Sequence, residues 1–274
     1  MSTHTSTDVT RAVRDRYARA AATPAACCEP SCCGDKTSAV TMSRAIGYTE
    51  EQLGTVPEEA NLGLGCGNPT ALAQLRPGET VLDLGSGAGI DCFLAAESVG
   101  SEGLVIGVDM TPEMVDRARR NAKQGAYQNV EFRLGEIEAL PVADESVDVI
   151  LSNCVLNLTN DKARVLREAF RVLRSGGRLV VSDMVSDQEI PSVLAGSLDA
   201  VAGCLPTFRA EYLSVFEKAG FTDVVISSET PYPMSYIMED VGVAAFLAEN
   251  PDAAAELERF AASISGAHFS AKKP

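Results

Sequence analysis

A chain of 274 residues, 46% of them hydrophobic, can bury a substantial core, so we expect a globular α/β domain with appended segments. Its 38 acidic residues against 23 basic ones give a formal charge of −15, which would repel a polyanion and argues against nucleic acid as a partner. No apolar run approaches the roughly 18 to 20 residues of a membrane span, and no apolar leader opens the chain, which predicts a cytoplasmic protein without a membrane anchor.

The N-terminal part of the chain predicts two helices separated by a cysteine-rich loop. Residues 6–22 repeat apolar side chains four positions apart, including Val9 and Val13, as in an amphipathic helix. The segment CCEPSCC, residues 27–33, contains half of the eight cysteines, and the prolines and glycine around it predict an exposed loop. We expect a short helix within residues 48–56, YTEEQLGTV.

From residue 80 onward, short apolar runs alternate with amphipathic stretches. The runs predict buried parallel strands at TVLDL, LVIGVD, VEFRL, VDVILS and RLVVSDM. The stretches predict helices at CFLAAESV, TPEMVDRARRNAKQ and NDKARVLREAFRVLRSGG. This alternation is typical of an open doubly wound sheet. Further along we expect helices in IPSVLAGSLDAVAG and RAEYLSVFEKAG and strands in TDVVISS and AHFSAKK.

The segment VLDLGSGAGID predicts a strand, a glycine loop and the start of a helix, which together form a ligand site. Asp109 ends the next strand, where a carboxylate can bind both hydroxyls of a ribose. The loop is not the G-x-G-x-x-G of dinucleotide sites, because Ile90 replaces the third glycine. Asp83, at the end of the first strand, suits a positively charged amino-acid group better than a pyrophosphate. The ligand that fits is S-adenosylmethionine.

Residues 80–184 resemble the class I S-adenosylmethionine-dependent methyltransferases, which implies a Rossmann-like sheet of seven strands. The resemblance implies that the segment after the third strand binds the adenine of the cofactor. The candidate cofactor-binding residues are Asp83, Gly85, Ser86, Gly87, Gly89, Asp109, Met110, Gly135, Glu136, Ile137 and Asn153. We expect three parts of the chain: residues 1–58 with the cysteine-rich loop, residues 59–187 with the cofactor domain, and residues 188–274 covering the substrate.

Three further cysteines lie where the chain should approach the transferred methyl group. Cys154 follows the fourth strand in SNCVLNL, Cys66 lies in the glycine turn NLGLGCGNP, and Cys204 follows the fifth strand. Connections at the carboxyl ends of parallel strands converge on one crevice, so we expect these thiols to meet. Thiolates prefer soft centres. Three cysteines and a water could hold a catalytic zinc ion. Trivalent arsenic fits better, because it keeps a lone pair that needs no base, and the chain has only two histidines.

Five segments are similar to the arsenite S-adenosylmethionine methyltransferase family, and the similarity covers nearly all of residues 30–274. They are NLGLGCGNP, DLGSGAGIDCFLAA, VIGVDMTPEM, SNCVLNL and the final KKP. The resemblance implies methyl transfer to arsenite or its thiol conjugates, with arsenic held by Cys66, Cys154 and Cys204. It also implies that a thiol reductant, glutathione or thioredoxin, regenerates the enzyme.

The same resemblance implies a disulfide between Cys66 and an N-terminal cysteine when the enzyme oxidises during turnover. Cys33 is the candidate, with Cys32 second, and both are additional candidate arsenic ligands. Cys204 departs from the family pattern, because GCLPTFRAEY is shorter than the usual small-residue stretch. Cys92 also matches a family position, but we expect it to be a buried structural residue.

Several alternatives remain open from the sequence. The cysteines of residues 27–33 could be reduced thiols without a role, a zinc knuckle, or a relay that captures arsenite and passes it inward. The protein itself could methylate an organic thiol or a small metabolite. It could also bind a metalloid without catalysis.

Overall fold

The computed structural model describes residues 5–22, 36–159, 161–191, 194, 198, 202–231, 243, 247–248 and 250–274. A mixed sheet of eight strands organises the described residues. In chain order the strands are β1 (Thr80–Leu84), β2 (Leu104–Asp109), β3 (Val130–Leu134), β4 (Val147–Asn153), β5 (Leu173–Ser186), β6 (Thr207–Phe208), β7 (Thr222–Pro231) and β8 (Ile264–Lys272).

The strand order is β3-β2-β1-β4-β5-β8-β7, with β6 paired to β5 outside this path. Strands β1 to β5 run parallel, and β8 lies antiparallel between β5 and β7. The carboxyl ends of β1, β4 and β5 therefore share one edge of the sheet. The predicted Rossmann-like methyltransferase architecture is confirmed, and the chain segments that follow these three strands meet at this edge.

The predicted count of seven strands is wrong by one. Strand β5 continues to Ser186, two residues beyond the expected end, and its last two residues pair in parallel with the two residues of β6. The eighth strand thus exists because the end of β5 has free backbone groups that the segment Thr207–Phe208 can pair with.

The helices that lie wholly within the described ranges are α1 (Ser6–Ala22), α2 (Lys36–Ala45), α3 (Glu50–Thr55), α4 (Pro69–Leu72), α5 (Ile90–Val99), α6 (Pro112–Gln124), α7 (Lys162–Val172), α8 (Arg209–Lys218) and α9 (Ala254–Ala261). Three 3₁₀ turns lie at Glu58–Ala60, Leu156–Leu158 and Pro251–Ala253. Within the described ranges, no helix has the length and apolar character needed to cross a membrane.

Local sequence explains where several helices begin and end. Thr49 and Gln52 form a reciprocal capping box at the start of α3, and the Asp161 side chain caps α7. The expected continuation of α7 through residues 173–177 is wrong, because Leu173 already pairs with Val147 as the first residue of β5. At this point the chain therefore leaves the helix and enters the sheet.

The core lies on both faces of the central strands. Consecutive residues of β1 and β4, such as Val81 with Leu82 and Ile150 with Leu151, are buried although they point to opposite faces. This is why these strands read as unbroken apolar runs rather than as alternating patterns. The sheet is consequently a rigid platform for the segments at its carboxyl edge.

Part of the C-terminal region packs on that edge, and its covering of the substrate stays a prediction. Leu257 and Phe260 of α9 and Ile264 of β8 are buried in one apolar cluster with Cys66, Cys154, Cys204 and Met184. The boundaries between the three expected parts of the chain stay predictions.

The final KKP segment fastens the last strand to the sheet. Lys273 is buried, and its Nζ donates hydrogen bonds to the carbonyls of Phe170 (2.9 Å) and Leu173 (2.8 Å) and contacts Glu145 at 3.1 Å. The ammonium group also lies 4.7 Å from the centre of the Phe170 ring. Lys272, by contrast, is exposed and pairs with Asp223.

Replacing Lys273 with Ala should lower the free energy of unfolding by about 2 kcal/mol, because two buried carbonyls lose their donor. Chemical denaturation measures this. The matched control is Lys272→Ala, whose exposed ion pair should contribute less than about 0.5 kcal/mol. Equal effects of the two substitutions would contradict this account of the C-terminus.

Candidate active site

The glycine loop after β1 has a conformation that only glycine tolerates. Gly85 and Gly89 have φ of 66° and 100°. A Cβ atom at Gly85 would lie 2.5 Å from Val155 Cγ2, and one at Gly89 would lie 2.8 Å from the Phe132 ring. The loop therefore packs tightly between β1 and the residues after β4, with its backbone facing the cleft at the carboxyl edge.

Asp109 holds this loop through its carboxylate. Gly87 N–H donates to one oxygen at 2.9 Å and Thr111 N–H donates to the other at 2.8 Å. The carboxylate also lines the cleft, where it can accept a hydrogen bond from a ligand. The end of β2 and the start of the glycine loop are thus one preformed unit.

A cleft opens between the glycine loop and helix α1. Eight of the predicted cofactor residues line it: Asp83, Gly85, Ser86, Gly87, Asp109, Met110, Ile137 and Asn153. Thr10, Val13 and Tyr17 of α1 form its roof. The other three predicted residues are not part of the lining. Gly89 is the N-cap of α5, Gly135 packs against Pro141, and Glu136 pairs with Arg14 of α1 at 3.4 Å.

The cleft is rich in buried carboxylates. Asp83, Asp91 and Asp109 all line it and are buried, and burial raises the pKa of each carboxyl, to about 6 for Asp91. A cationic ligand would relieve the cost of burying these charges. The buried Ser86 hydroxyl also has no hydrogen-bond partner within the described part of the chain. A ligand with positive charge and polar groups, as in S-adenosylmethionine, fits this site.

A hydrogen-bonded cluster joins the cofactor cleft to the turn that carries Cys66. Tyr48 O–H donates to Asp91 at 2.8 Å, and Asn153 Nδ2 donates to the other Asp91 oxygen at 3.0 Å. Asn153 also holds the turn directly. Its Nδ2 donates to Gly67 O at 2.8 Å, and its Oδ1 accepts from Cys66 N–H at 3.1 Å. Asn153 is therefore hydrogen-bonded both to the turn and to a carboxylate of the cofactor cleft.

The sequence interpretation missed both Asp91 and Tyr48. Asp91 carried a signal, since it lies two residues after Gly89 in the loop that was already assigned to the ligand. Tyr48 carried none, because its contact with Asp91 spans 43 positions of the chain.

The structure brings Cys66, Cys154 and Cys204 together at the carboxyl ends of β4 and β5. Cys66 and Cys154 are joined by a disulfide with a Cα–Cα distance of 5.6 Å, and Cys154 Sγ lies 3.3 Å from Cys204 Sγ. Cys154 also lines the cofactor cleft. All three are buried in the apolar cluster described above, so the sulfur atoms are shielded from water. Their role in binding stays a prediction.

Two of these cysteines have a strained backbone. Cys154 and Cys204 have φ of 60° and 68°, in the left-handed region that side chains other than glycine and asparagine rarely adopt. Each such residue costs about 1–3 kcal/mol and persists only where its surroundings impose it. At Cys154 the constraint is visible, since its N–H donates to Ser182 O at 2.8 Å. This backbone conformation lowers the stability of the fold, and it directs the two sulfur atoms toward each other.

Asp183, which the sequence interpretation did not assign, faces the sulfur cluster from the end of β5. Its carboxylate lies 3.8 Å from Cys204 Sγ and within 4.8 Å of the Cys66 and Cys154 sulfurs. Burial raises the pKa of Asp183 to about 6 and raises the pKa of the Cys204 thiol well above its usual value. No sequence signal marked Asp183, because its role depends on contacts with Cys204 and Tyr212 from distant parts of the chain.

Among the cysteines that the structure describes, Cys92 does not belong to this cluster. Cys92 is fully buried in α5, and its Sγ donates to Asp83 at 3.2 Å, which fits the expected structural residue. Cys32 and Cys33 lie outside the described residues, as does the rest of residues 27–33. The pairing of Cys66 with Cys33 therefore stays a prediction, and the structure holds Cys66 in a different bond, to Cys154.

Comparison with known proteins agrees with this geometry. A family described as a methyltransferase domain matches residues 75–220. An arsenite methyltransferase of Halobacterium salinarum is 48% identical over 226 residues, which is 78% of this chain and 58% of that protein. The human arsenite methyltransferase is 40% identical over 195 residues, 66% of this chain and 52% of that protein. This chain thus spans little more than half the length of the curated relatives that it matches.

A solved structure is similar over more of its length. The crystal structure of an arsenic(III) S-adenosylmethionine methyltransferase from Chlamydomonas reinhardtii aligns with a TM-score of 0.60 and 31% identity, covering 86% of this chain and 74% of that one. The sheet order, the glycine loop and the acidic residues of the cleft define a class I S-adenosylmethionine-dependent methyltransferase. The chain belongs to the methyltransferase domain family, and its predicted resemblance to the arsenite methyltransferases is confirmed.

The carboxylates of the cleft predict a pH dependence of cofactor binding. A cation favours the ionised carboxylate, so binding lowers the pKa of Asp91 and releases a proton where the free protein is protonated. Affinity for S-adenosylmethionine should therefore fall by about tenfold from pH 7 to pH 5, through the Asp91 pKa of about 6. Calorimetric titration at several pH values measures this.

Asp91→Asn should weaken binding at neutral pH and make the pH dependence shallower, because one of the three buried carboxylates no longer titrates. The matched control is Asp187→Asn, an exposed residue paired with Arg209, which should leave the pH profile unchanged. A profile in Asp91→Asn with the wild-type slope would refute the role of Asp91 in binding the cation.

Proposed function

We propose that this protein transfers methyl groups from S-adenosylmethionine to trivalent arsenic held by Cys66, Cys154 and Cys204. The observation that carries the proposal is the position of Cys154. This residue lines the cofactor cleft, is bonded to Cys66, and lies 3.3 Å from the sulfur of Cys204. A centre held by these sulfurs would border the cofactor site.

The donor set favours a soft, thiophilic centre. Three sulfurs in an apolar, buried cluster suit arsenic(III) better than an oxygen-loving cation such as Mg²⁺. Names of relatives support the same substrate, since proteins 35–48% identical to this chain are arsenite methyltransferases. Arsenite or one of its thiol conjugates is therefore the proposed substrate.

The residues of the cleft bind and orient the two reactants. Asp83, Asp91 and Asp109 would hold the cofactor, which when bound supplies an electrophilic methyl group on a sulfonium. The cysteines hold arsenic so that its lone pair remains free, and no side chain has to remove a proton from the acceptor. His268 lies near the site but is a weak base, because burial lowers its pKa. Its Nδ1 is already hydrogen-bonded to Ser182 at 2.6 Å.

The disulfide between Cys66 and Cys154 must be reduced before both sulfurs can bind arsenic. Two reducing thiols donate the electrons and leave as their own disulfide, while the protein gains two thiols. Glutathione or thioredoxin is the proposed co-substrate. A cytoplasmic location would supply either of them. Cys33, with Cys32 second, remains the proposed partner that forms a disulfide with Cys66 during turnover.

The test uses the reduced protein with arsenite, labelled S-adenosylmethionine and a thiol reductant. Replacing Cys66, Cys154 or Cys204 with Ser should abolish methylated arsenic, detected by mass, because two sulfurs hold arsenic weakly and leave it misaligned. Cofactor affinity should stay at the wild-type value, since none of the three sulfurs is hydrogen-bonded to Asp83, Asp91 or Asp109, the carboxylates that would hold the cofactor.

Cys92→Ser is the matched control, because serine can donate to Asp83 as the thiol does, and it should keep its activity. Methylation that persists in both Cys66→Ser and Cys154→Ser would exclude arsenic held by these residues. Tight arsenite binding without any methylated product in the wild type would favour a binding protein, and methylation of an added organic thiol instead would favour a different acceptor.

A further inference from the structure

A buried carboxylate at the sulfur cluster has no function in the mechanism given so far. We infer that Asp183 speeds methylation of the bound arsenic by placing a fixed negative charge beside the positive charge that arsenic acquires. The inference rests on the proposed function and adds one residue with an electrostatic role to it.

The position of Asp183 is set by the end of β5 and by the loop that carries Cys204. The residue is fully buried, and its Oδ1 lies 3.8 Å from Cys204 Sγ. A carboxylate oxygen and the sulfurs of Cys66 and Cys154 all lie within 4.8 Å of one another. A centre bound by the three sulfurs would therefore be adjacent to this carboxylate.

The hydrogen bonds of Asp183 show that it is an acceptor. Asn157 N–H donates to Oδ2 at 3.1 Å, and Tyr212 O–H donates to the same oxygen at 2.9 Å. Met184 N–H donates to Oδ1 at 2.9 Å, and the Cys204 thiol approaches that oxygen too. The two N–H donors and the O–H donor stay in place when Cys204 loses its proton to bind arsenic, and they stabilise an ionised carboxylate. The positive charge of the nearby Lys162 also favours the ionised carboxylate, so Asp183 places a negative charge beside the sulfurs.

The charge that arsenic acquires follows from the electrons of the step. Arsenic bound by three thiolates is neutral, and its lone pair forms the new bond to the methyl carbon. The bond between that carbon and the sulfonium sulfur breaks, and its electron pair stays on the sulfur, which becomes a neutral thioether. The positive charge has then moved to arsenic, and no proton has been transferred.

The field of the site decides how easily this charge moves. On the cofactor side, Asp83, Asp91 and Asp109 favour positive charge at its starting point, which alone would oppose transfer. Asp183 lies on the arsenic side, where the charge arrives. Interactions that are stronger in the transition state than in the ground state accelerate a reaction, and prepositioned charges in a dry site are the most effective of them. Asp183 supplies such an interaction.

Asp183→Asn keeps the shape of the side chain and removes its charge. We expect kcat for arsenite methylation to fall by about 10- to 100-fold, because the field at arsenic is lost. Arsenite affinity, measured by calorimetry on the reduced protein without cofactor, should stay near the wild-type value, since arsenic is neutral in that complex. This split between binding and turnover is not expected of a residue that only supports the fold.

Two control variants separate the charge from its surroundings. Tyr212→Phe removes one donor but keeps the carboxylate, and it should retain most of the wild-type kcat. Asp187→Asn makes the same chemical change at an exposed position outside the cluster, and it should have wild-type kcat. A wild-type kcat in Asp183→Asn, or a loss in Asp187→Asn equal to that in Asp183→Asn, would overturn the inference.

If Asp183→Asn does not unfold cooperatively, a second variant tests the role of the charge. Asp183→Ala removes the whole carboxylate and leaves space for a small molecule beside the sulfurs. Formate should raise its kcat, whereas formamide, which is similar in shape but neutral, should not. Equal rescue by both compounds, or rescue by neither in a folded protein, would refute a role of the charge. All comparisons require a wild-type enzyme that methylates arsenite, so absence of that activity would reject the proposed function and not this inference alone.

Discussion

The site depends on the conformation of the chain at the carboxyl end of β4. Cys154 takes a left-handed backbone conformation there, and the hydrogen bond from its N–H to Ser182 O ties it to β5. This turn points the Cys154 sulfur toward Cys66 on one side and Cys204 on the other. Cys66 lies 88 positions from Cys154 in the sequence, and Cys204 lies 50 positions from it. The parallel sheet makes this possible, because segments that follow neighbouring strands end at the same edge.

The second constraint is electrostatic. A chain with a charge of −15 also buries four aspartates around the two ligand sites, and burial raises the pKa of each of these carboxyls. Such groups weaken an empty protein and favour cationic ligands. A sulfonium cofactor and a methylated arsenic centre are both cationic, at successive stages of one reaction. The cost of burying Asp83, Asp91 and Asp109 is thus offset when the cofactor binds, and that of Asp183 only when the positive charge reaches arsenic.

Much of the fold could be predicted from the sequence, because its signal is periodic and local. The buried runs at Thr80–Leu84, Leu104–Asp109 and Val130–Leu134 are strands with the expected bounds. Strand β6 could not be predicted, since two residues carry no periodicity and are defined only by their pairing with β5. Helix α2 was missed for a related reason, because KTSAVTMSRA has few apolar residues to reveal a buried face.

The residues of the site also fall into two groups, those that could be predicted from the sequence and those that could not. The cysteines and the glycine loop could be found because their residue types are unusual and their places follow from strand order. Tyr48 and Asp183 could not, since a tyrosine or an aspartate is common and its role depends on tertiary contacts. The bond between Cys66 and Cys154 was equally inaccessible, because a sequence with eight cysteines does not specify which of them pair.

The central claim is that sulfurs from three separate segments hold one arsenic atom. X-ray absorption at the arsenic edge, on reduced protein loaded with arsenite, tests it most directly. The account predicts three sulfur neighbours and no oxygen, with one sulfur lost in Cys204→Ser. Arsenic that retains oxygen neighbours in the wild type, or that keeps all three sulfurs in Cys204→Ser, would contradict it.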